Sequence, residues 1–83
     1  MKKYLVDLYL PAAGKHLDVF LPAEKYIGEA IPLLVSAAEA LTGGSYKGTA
    51  DAMLLNAVSG MPYEKDQTVE DAFIRNASRL ILI

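Results

Sequence analysis

The stretch Ile27-Gly28-Glu29-Ala30-Ile31-Pro32-Leu33-Leu34-Val35-Ser36-Ala37-Ala38-Glu39-Ala40-Leu41 decides how the rest of the chain is arranged. Ile27, Ala30, Ile31, Leu34, Val35, Ala38 and Leu41 recur at helical spacing, and at ~100° per residue they form one apolar stripe. Gly28, Glu29, Pro32, Ser36 and Glu39 fall on the opposite side. One face of this helix is therefore solvated, and the other needs a sheet or further helices to cover it. Pro32 is the discordant residue, because a proline past the first turn has no backbone donor and crowds the carbonyl four residues earlier. An irregular or kinked first turn is expected there.

Strand patterns flank the helix on both sides. From Lys2 to Leu10, Tyr4, Val6, Leu8 and Leu10 alternate with Lys3, Leu5, Asp7 and Tyr9, the period of two that buries one face of a strand. Pro11 to Lys15 breaks the run as a five-residue loop. His16 to Leu21 then returns as the second arm of a hairpin, with Leu17, Val19 and Leu21 pointing inward and Pro22 ending the pairing. Thr42-Gly43-Gly44 closes the helix, since glycine accepts the left-handed conformation of a helix C-terminus. Ser45 to Asp51 has no apolar period and reads as a loop. Met53 to Val58 reads as a third strand turned by Ser59-Gly60, and Met61-Pro62-Tyr63 as a short edge segment. The Thr68 hydroxyl caps a single helical turn, with Asp71 placed like the acid of a capping box. Asn76-Ala77 turns the chain into a last strand, Ser78 to Ile83, with Leu80 and Leu82 inward and Ile81 and Ile83 outward.

Hairpin, helix, strand, edge segment, capped turn and final strand together specify an α+β fold of the β-grasp type. A mixed sheet of four to five strands wraps one helix, and a right-handed crossover sets the last strand parallel to the first in the middle of the sheet. The chain forms a single domain over residues 1–83. At this length ~60–65% of the unfolded surface is buried, so the core is small.

Composition narrows the function. With no cysteine, neither disulfides nor thiolate metal sites hold the fold, which fits a reducing cytoplasm. Eight Lys and Arg against ten Asp and Glu give a net charge of −2, which offers no footprint for nucleic acid or anionic lipid. Met1-Lys2-Lys3 before an apolar run imitates a signal peptide, but Asp7 and Pro11 interrupt it, so a strand is expected. No stretch approaches the ~20 apolar residues of a membrane span, so direct membrane insertion is not expected.

No motif assembles a catalytic or cofactor site. Gly43 to Thr49, GGSYKGT, has the residues of a phosphate cradle in the wrong order and after a helix, so a flexible loop is expected. The lone His16 has no second His or Cys beside it and reads as a surface strand residue. Glu64, Asp66, Glu70 and Asp71 lie in a turn-rich segment without an apolar pocket, where capping and solvation are their expected roles. The five tyrosines are dispersed and lack the basic companions of a base-stacking platform. No cofactor, metal or catalytic residue is expected. What stands out is the far side of the sheet, where Leu5, Tyr9, Phe20, Ile81 and Ile83 are expected to form a contiguous apolar patch of the kind that binds protein. Leu33, Ala37 and Ala40 flank the helix stripe, either widening a second contact zone or forming the edge of the core.

The final stretch, Thr68-Val69-Glu70-Asp71-Ala72-Phe73-Ile74-Arg75-Asn76-Ala77-Ser78-Arg79-Leu80-Ile81-Leu82-Ile83, resembles the end of ubiquitin-like domains. Together with Val6-Asp7-Leu8 and Asp18-Val19-Phe20-Leu21-Pro22-Ala23 leading into Ile27 to Val35, the chain resembles the YukD/EsaB family of small bacterial ubiquitin-like proteins of the type VII (WXG100, ESX-like) secretion system. It is also similar to the related ubiquitin-like domain at the cytoplasmic N-terminus of the membrane component EccD, where a similar proline sits in the helix. The resemblance implies a non-enzymatic, non-conjugated, cytoplasmic adaptor that binds protein, with a secretion ATPase or membrane channel subunit as the expected partner. A homodimer through the same face is a further occupant. The alternative is a ubiquitin-like modifier or sulfur carrier used by an activating enzyme. Such carriers end in Gly-Gly, whereas this sequence stops at Leu82-Ile83, so the adaptor is the expectation.

Overall fold

In a computed structural model that describes residues 1–83, the alternating segments become β1 (Lys3–Leu10), β2 (Lys15–Pro22), β3 (Leu54–Asn56) and β4 (Arg79–Leu82), and the apolar stripe becomes α1 (Ile27–Leu41). The strands lie in the order β2-β1-β4-β3. β1 pairs antiparallel with β2 and parallel with β4, and β3 pairs antiparallel with β4. This is the expected mixed sheet with the first and last strands side by side at its centre. Met61-Pro62-Tyr63 adds only a bridge from Pro62 to Leu55, so the sheet has four strands.

Tyr4, Val6, Leu8 and Leu10 of β1, Leu54 of β3, and Leu80 and Leu82 of β4 are buried in one core with Ile27, Ala30, Ile31, Leu34 and Ala38 of α1. Val69 and Ile74 join it from the capped turn, with Leu21 of β2, Ala23, Tyr46 and Ala52. The helix start has no side-chain cap. Its first amides instead donate to a neighbouring loop, Ile27 to Gln67 O at 2.8 Å and Gly28 to Lys65 O at 3.0 Å.

Several expectations change in detail. The helix runs unbroken through Pro32, and in its first turn Tyr26 O accepts from both Glu29 and Ala30. Leu41 is exposed and Val35 half-buried, so the stripe ends a turn early, and Thr42 is buried at the C-cap. The hairpin loop is Pro11–Gly14, one residue shorter than expected. Pro22 remains in β2 opposite Lys3, and pairing continues to Ala23, whose amide donates to Lys2 O at 2.9 Å. That bond makes Lys3–Pro22 a non-hydrogen-bonded pair, so the proline nitrogen faces the free edge, where its missing donor costs no ladder bond. β3 is three residues rather than six, because the Asn56 side chain accepts from Val58 and Ser59 amides at 2.8 and 3.2 Å and turns the chain.

The loop after the helix departs most from its expectation. Tyr46 is fully buried, its amide donating to Thr42 Oγ1 at 3.0 Å while that hydroxyl donates to Ala38 O at 2.7 Å. Gly48 packs directly on Val35, and its amide donates to Glu39 Oε2 at 3.2 Å. The segment is a plug on the core, with a carboxylate where a phosphate cradle would need its anion.

Candidate protein-binding face

With α1 on one side only, the other side of the sheet is left uncovered. Register sorts that outer face into rows that cross the strands. In one row Phe20 of β2 lies opposite Leu5 of β1. In the next, Asp18 lies opposite Asp7, which lies beside Arg79 of β4. The third runs from His16 through Tyr9 and Ile81 to Leu55 of β3 and on to Pro62. Beyond it Ile83 and Met53 exchange backbone hydrogen bonds at 2.8 and 3.0 Å.

All five residues singled out in the sequence therefore lie on this face, but the patch is not contiguous. The Asp18–Asp7–Arg79 row separates Leu5 and Phe20 from Tyr9, Ile81 and Ile83. Leu5, Phe20 and Ile83 are exposed, Phe20 at 58%, whereas Tyr9 and Ile81 are half-buried. Sequence reading missed Leu55, Met53 and Pro62, which extend the second patch. Their signal was the alternation of Met53 and Leu55, obscured by the ambiguous facing of a strand this short.

The polar groups of the face are specific in their contacts. His16 Nδ1 is 2.9 Å from Asp7 Oδ1, and its ring lies 4.5 Å from that of Tyr9. Lys3 Nζ lies 5.0 Å from the centre of the Phe20 ring. An open groove of about 680 Å³ is lined by Leu5, Asp7, Asp18, Phe20 and Arg79 among others. On the other side of the molecule, Leu33 and Ala37 border a smaller apolar groove of about 120 Å³ between α1 and β2, while Ala40 lies outside it. Leu33 is exposed there.

The carboxylates divide by role. Thr68 Oγ1 accepts from the Asp71 amide at 3.1 Å, as a cap requires. Glu70 does more than the solvation expected of it. Its carboxylate accepts from the Tyr4 hydroxyl and from Lys2 Nζ at 3.2 Å, with Arg75 at 3.9 Å. These contacts, that of Tyr4 first, hold its carboxyl below the usual glutamate value, and Lys2 is raised in turn by its bonds to Tyr4 and Glu70. The group fastens the start of β1 to the last turn and lies away from the sheet-face rows.

No family model matches the chain, and no curated protein matches it in sequence. Solved structures do match. The EccD5 ubiquitin-like domain from Mycobacterium xenopi superposes with a TM-score of 0.87 at 18% identity, over 100% of this chain and 94% of its own. The ubiquitin-like domain of the Mycobacterium tuberculosis type VII secretion system protein ECCD1 gives 0.78 at 21% identity, over 100% and 99%. A chain of the MycP5-free ESX-5 inner membrane complex gives 0.86 at 16% identity, with 100% of this chain covering 21% of that one. Likeness at these identities is likeness of fold, and the chain has the ubiquitin-like β-grasp fold shared by these type VII secretion domains.

Proposed function

We propose that the domain is a ubiquitin-like protein-binding adaptor of a type VII secretion machine, cytoplasmic and neither catalytic nor conjugated, and that it binds a secretion ATPase or membrane channel subunit through its outer sheet face. The observation that carries this reading is the end-to-end superposition on a domain within a chain of the ESX-5 inner membrane complex. The exposed Leu5 and Phe20 on a sheet face that no helix covers supply the contact surface. Tyr9, Ile81 and Ile83 extend it beyond the charged row. No helix of the domain is long and apolar enough to cross a membrane.

The test uses the tagged domain as bait on detergent-solubilised membranes of its own bacterium, beside a variant carrying Phe20→Asp and Ile81→Asp, with mass spectrometry of what is retained. Recovery of a secretion ATPase or channel subunit by the wild type and its loss from the variant is expected. Recovery of an adenylating enzyme, or of covalent adducts heavier by one domain, overturns the adaptor in favour of a modifier or carrier. Sedimentation at micromolar concentration reports whether a second copy occupies the same face.

A further inference from the structure

The outer face breaks a pairing rule at one place. Asp7 and Asp18 stand directly opposite each other across β1 and β2, on the same side of the sheet. Like charges in such a position destabilise the pair. Asp7 has the His16 ring nitrogen at 2.9 Å, and Asp18 has no ion pair at all. Neither Lys3 nor Arg79 forms an ion pair with these aspartates, although Arg79 lines the groove and Lys3 stands beside its Phe20. Lys3 lies over the Phe20 ring, and Arg79, in register with Asp7, has no carboxylate within 4.0 Å. Both aspartates line the groove of about 680 Å³ together with Leu5, Phe20 and Arg79.

Local conflicts of this kind gather where a sequence serves something besides its own fold. We propose that the groove takes a cationic side chain, arginine in preference to lysine, carried on an apolar segment of the partner protein. The stem packs on Leu5 and Phe20, and the guanidinium enters between Asp7 and Asp18. A guanidinium is planar, presents five donors in a fixed fork and spans two carboxylates, and its methylenes and flat face suit an aliphatic and an aromatic neighbour. A glutamate in the same place meets two like charges, and a glutamine leaves both carboxylates unneutralised. This inference rests on the sheet-face reading and adds the partner's chemistry to it.

The test is an NMR titration of the ¹⁵N-labelled domain with acetyl-Leu-Arg-Leu amide and with its glutamine and glutamate counterparts. The arginine peptide is expected to saturate shifts at Leu5, Asp7, Asp18 and Phe20 at a concentration about fivefold lower than the glutamine peptide. That preference shrinks as salt is raised and disappears in Asp18→Asn, whose melting temperature is no lower than that of the wild type because a repulsion has been removed. Asp7→Asn is the second variant and loses the preference likewise. Equal binding of the arginine and glutamine peptides, preference for glutamate, or shifts absent from this face at millimolar peptide overturns the proposal. Equal binding at Leu5 and Phe20 leaves the sheet-face reading standing. That reading fails separately if the Phe20→Asp, Ile81→Asp bait retains the secretion component.

Discussion

Replacing Gly48 by alanine tests whether the loop after α1 is a fitted part of the core. A Cβ at this position would lie 2.3 Å from Val35 Cγ1, about 1.1 Å inside ordinary contact, and 3.3 Å from Val35 Cβ and Cγ2. Val35 is β-branched and sits in a helix, where one χ1 rotamer dominates, so rotation of its side chain does not open the space. Forcing one extra carbon into a packed site costs ~1–3 kcal/mol. Gly48 does not occupy the left-handed region, so alanine also restricts the unfolded chain, which returns ~0.4–1 kcal/mol. The expected net loss is ~1–2 kcal/mol, a fall in melting temperature of roughly 5–15 °C for a domain of this size. Val35→Ala alone, at a half-buried site, costs ~1 kcal/mol by lost burial. Because it also removes the clashing methyl, the double variant should be about as stable as Val35→Ala alone, a coupling of ~1–2 kcal/mol in a double-mutant cycle read by urea denaturation. A Gly48→Ala domain as stable as the wild type, or strictly additive variants, would show that the loop does not press on the helix.

Tyr46→Phe removes a buried hydroxyl that has no hydrogen-bond partner, and whose ionisation burial and Glu39 push up; the melting temperature should hold or rise by a few degrees, because an unpaired buried polar group costs ~1–3 kcal/mol. A clear fall would mean that the hydroxyl is bonded. Glu70 has a folded pKa below its ordinary 4.5, so its contribution is present above that value and is lost as pH falls through the lower folded one. Glu70→Gln should therefore be less stable than the wild type in urea melts at neutral pH, with the gap narrowing below pH 4.5, and a gap independent of pH would remove the charge from the explanation. Leu80→Ala at a fully buried position should cost ~2–5 kcal/mol, whereas Phe20→Ala on the outer face should stay within ~0.5 kcal/mol; the reverse order in thermal melts would invert the facing of the sheet.

Long periodic segments were legible in the sequence because their burial follows a simple rule. The α1 range matches the sequence reading residue for residue, and the inward sets of β1 and β4 are the buried ones. Short irregular segments were not, because their structure rests on contacts between residues distant in sequence. Tyr46 carries no periodic signal, and only the Thr42 hydroxyl and the approach of Gly48 to Val35 explain its place in the core. Asn56 reads as a strand residue until its side chain is seen to accept from two amides of the following turn. The candidate face was legible as a set of outward residues but not as a pattern. Its rows depend on the β1–β4 pairing, which joins residues some seventy positions apart.

That pairing bears on why the exposed apolar residues stand where they do. A slip of one residue would exchange the faces of β1 and bury Leu5 while exposing Val6. The start of β1 is protected from it by the turn before β4. The Asn76 side chain accepts from the Leu5 amide at 2.8 Å, and the Ala77 amide donates to Leu5 O at 2.8 Å. Ala77 takes a left-handed φ of 69° to do so, a conformation that costs an L-residue about 1–2 kcal/mol. Leu5 is thus an exposed aliphatic residue whose two backbone groups are both held by a strained turn, opposite an exposed phenylalanine. Scattered surface apolar residues need no such fixing. The proposed contact surface would gain from it, because ordering the anchors before binding reduces the entropy lost on docking. The same logic separates the two patches: Leu5 and Phe20 are both fixed and exposed, whereas Tyr9 and Ile81 are already half-buried by their neighbours and have less area left to bury on a partner.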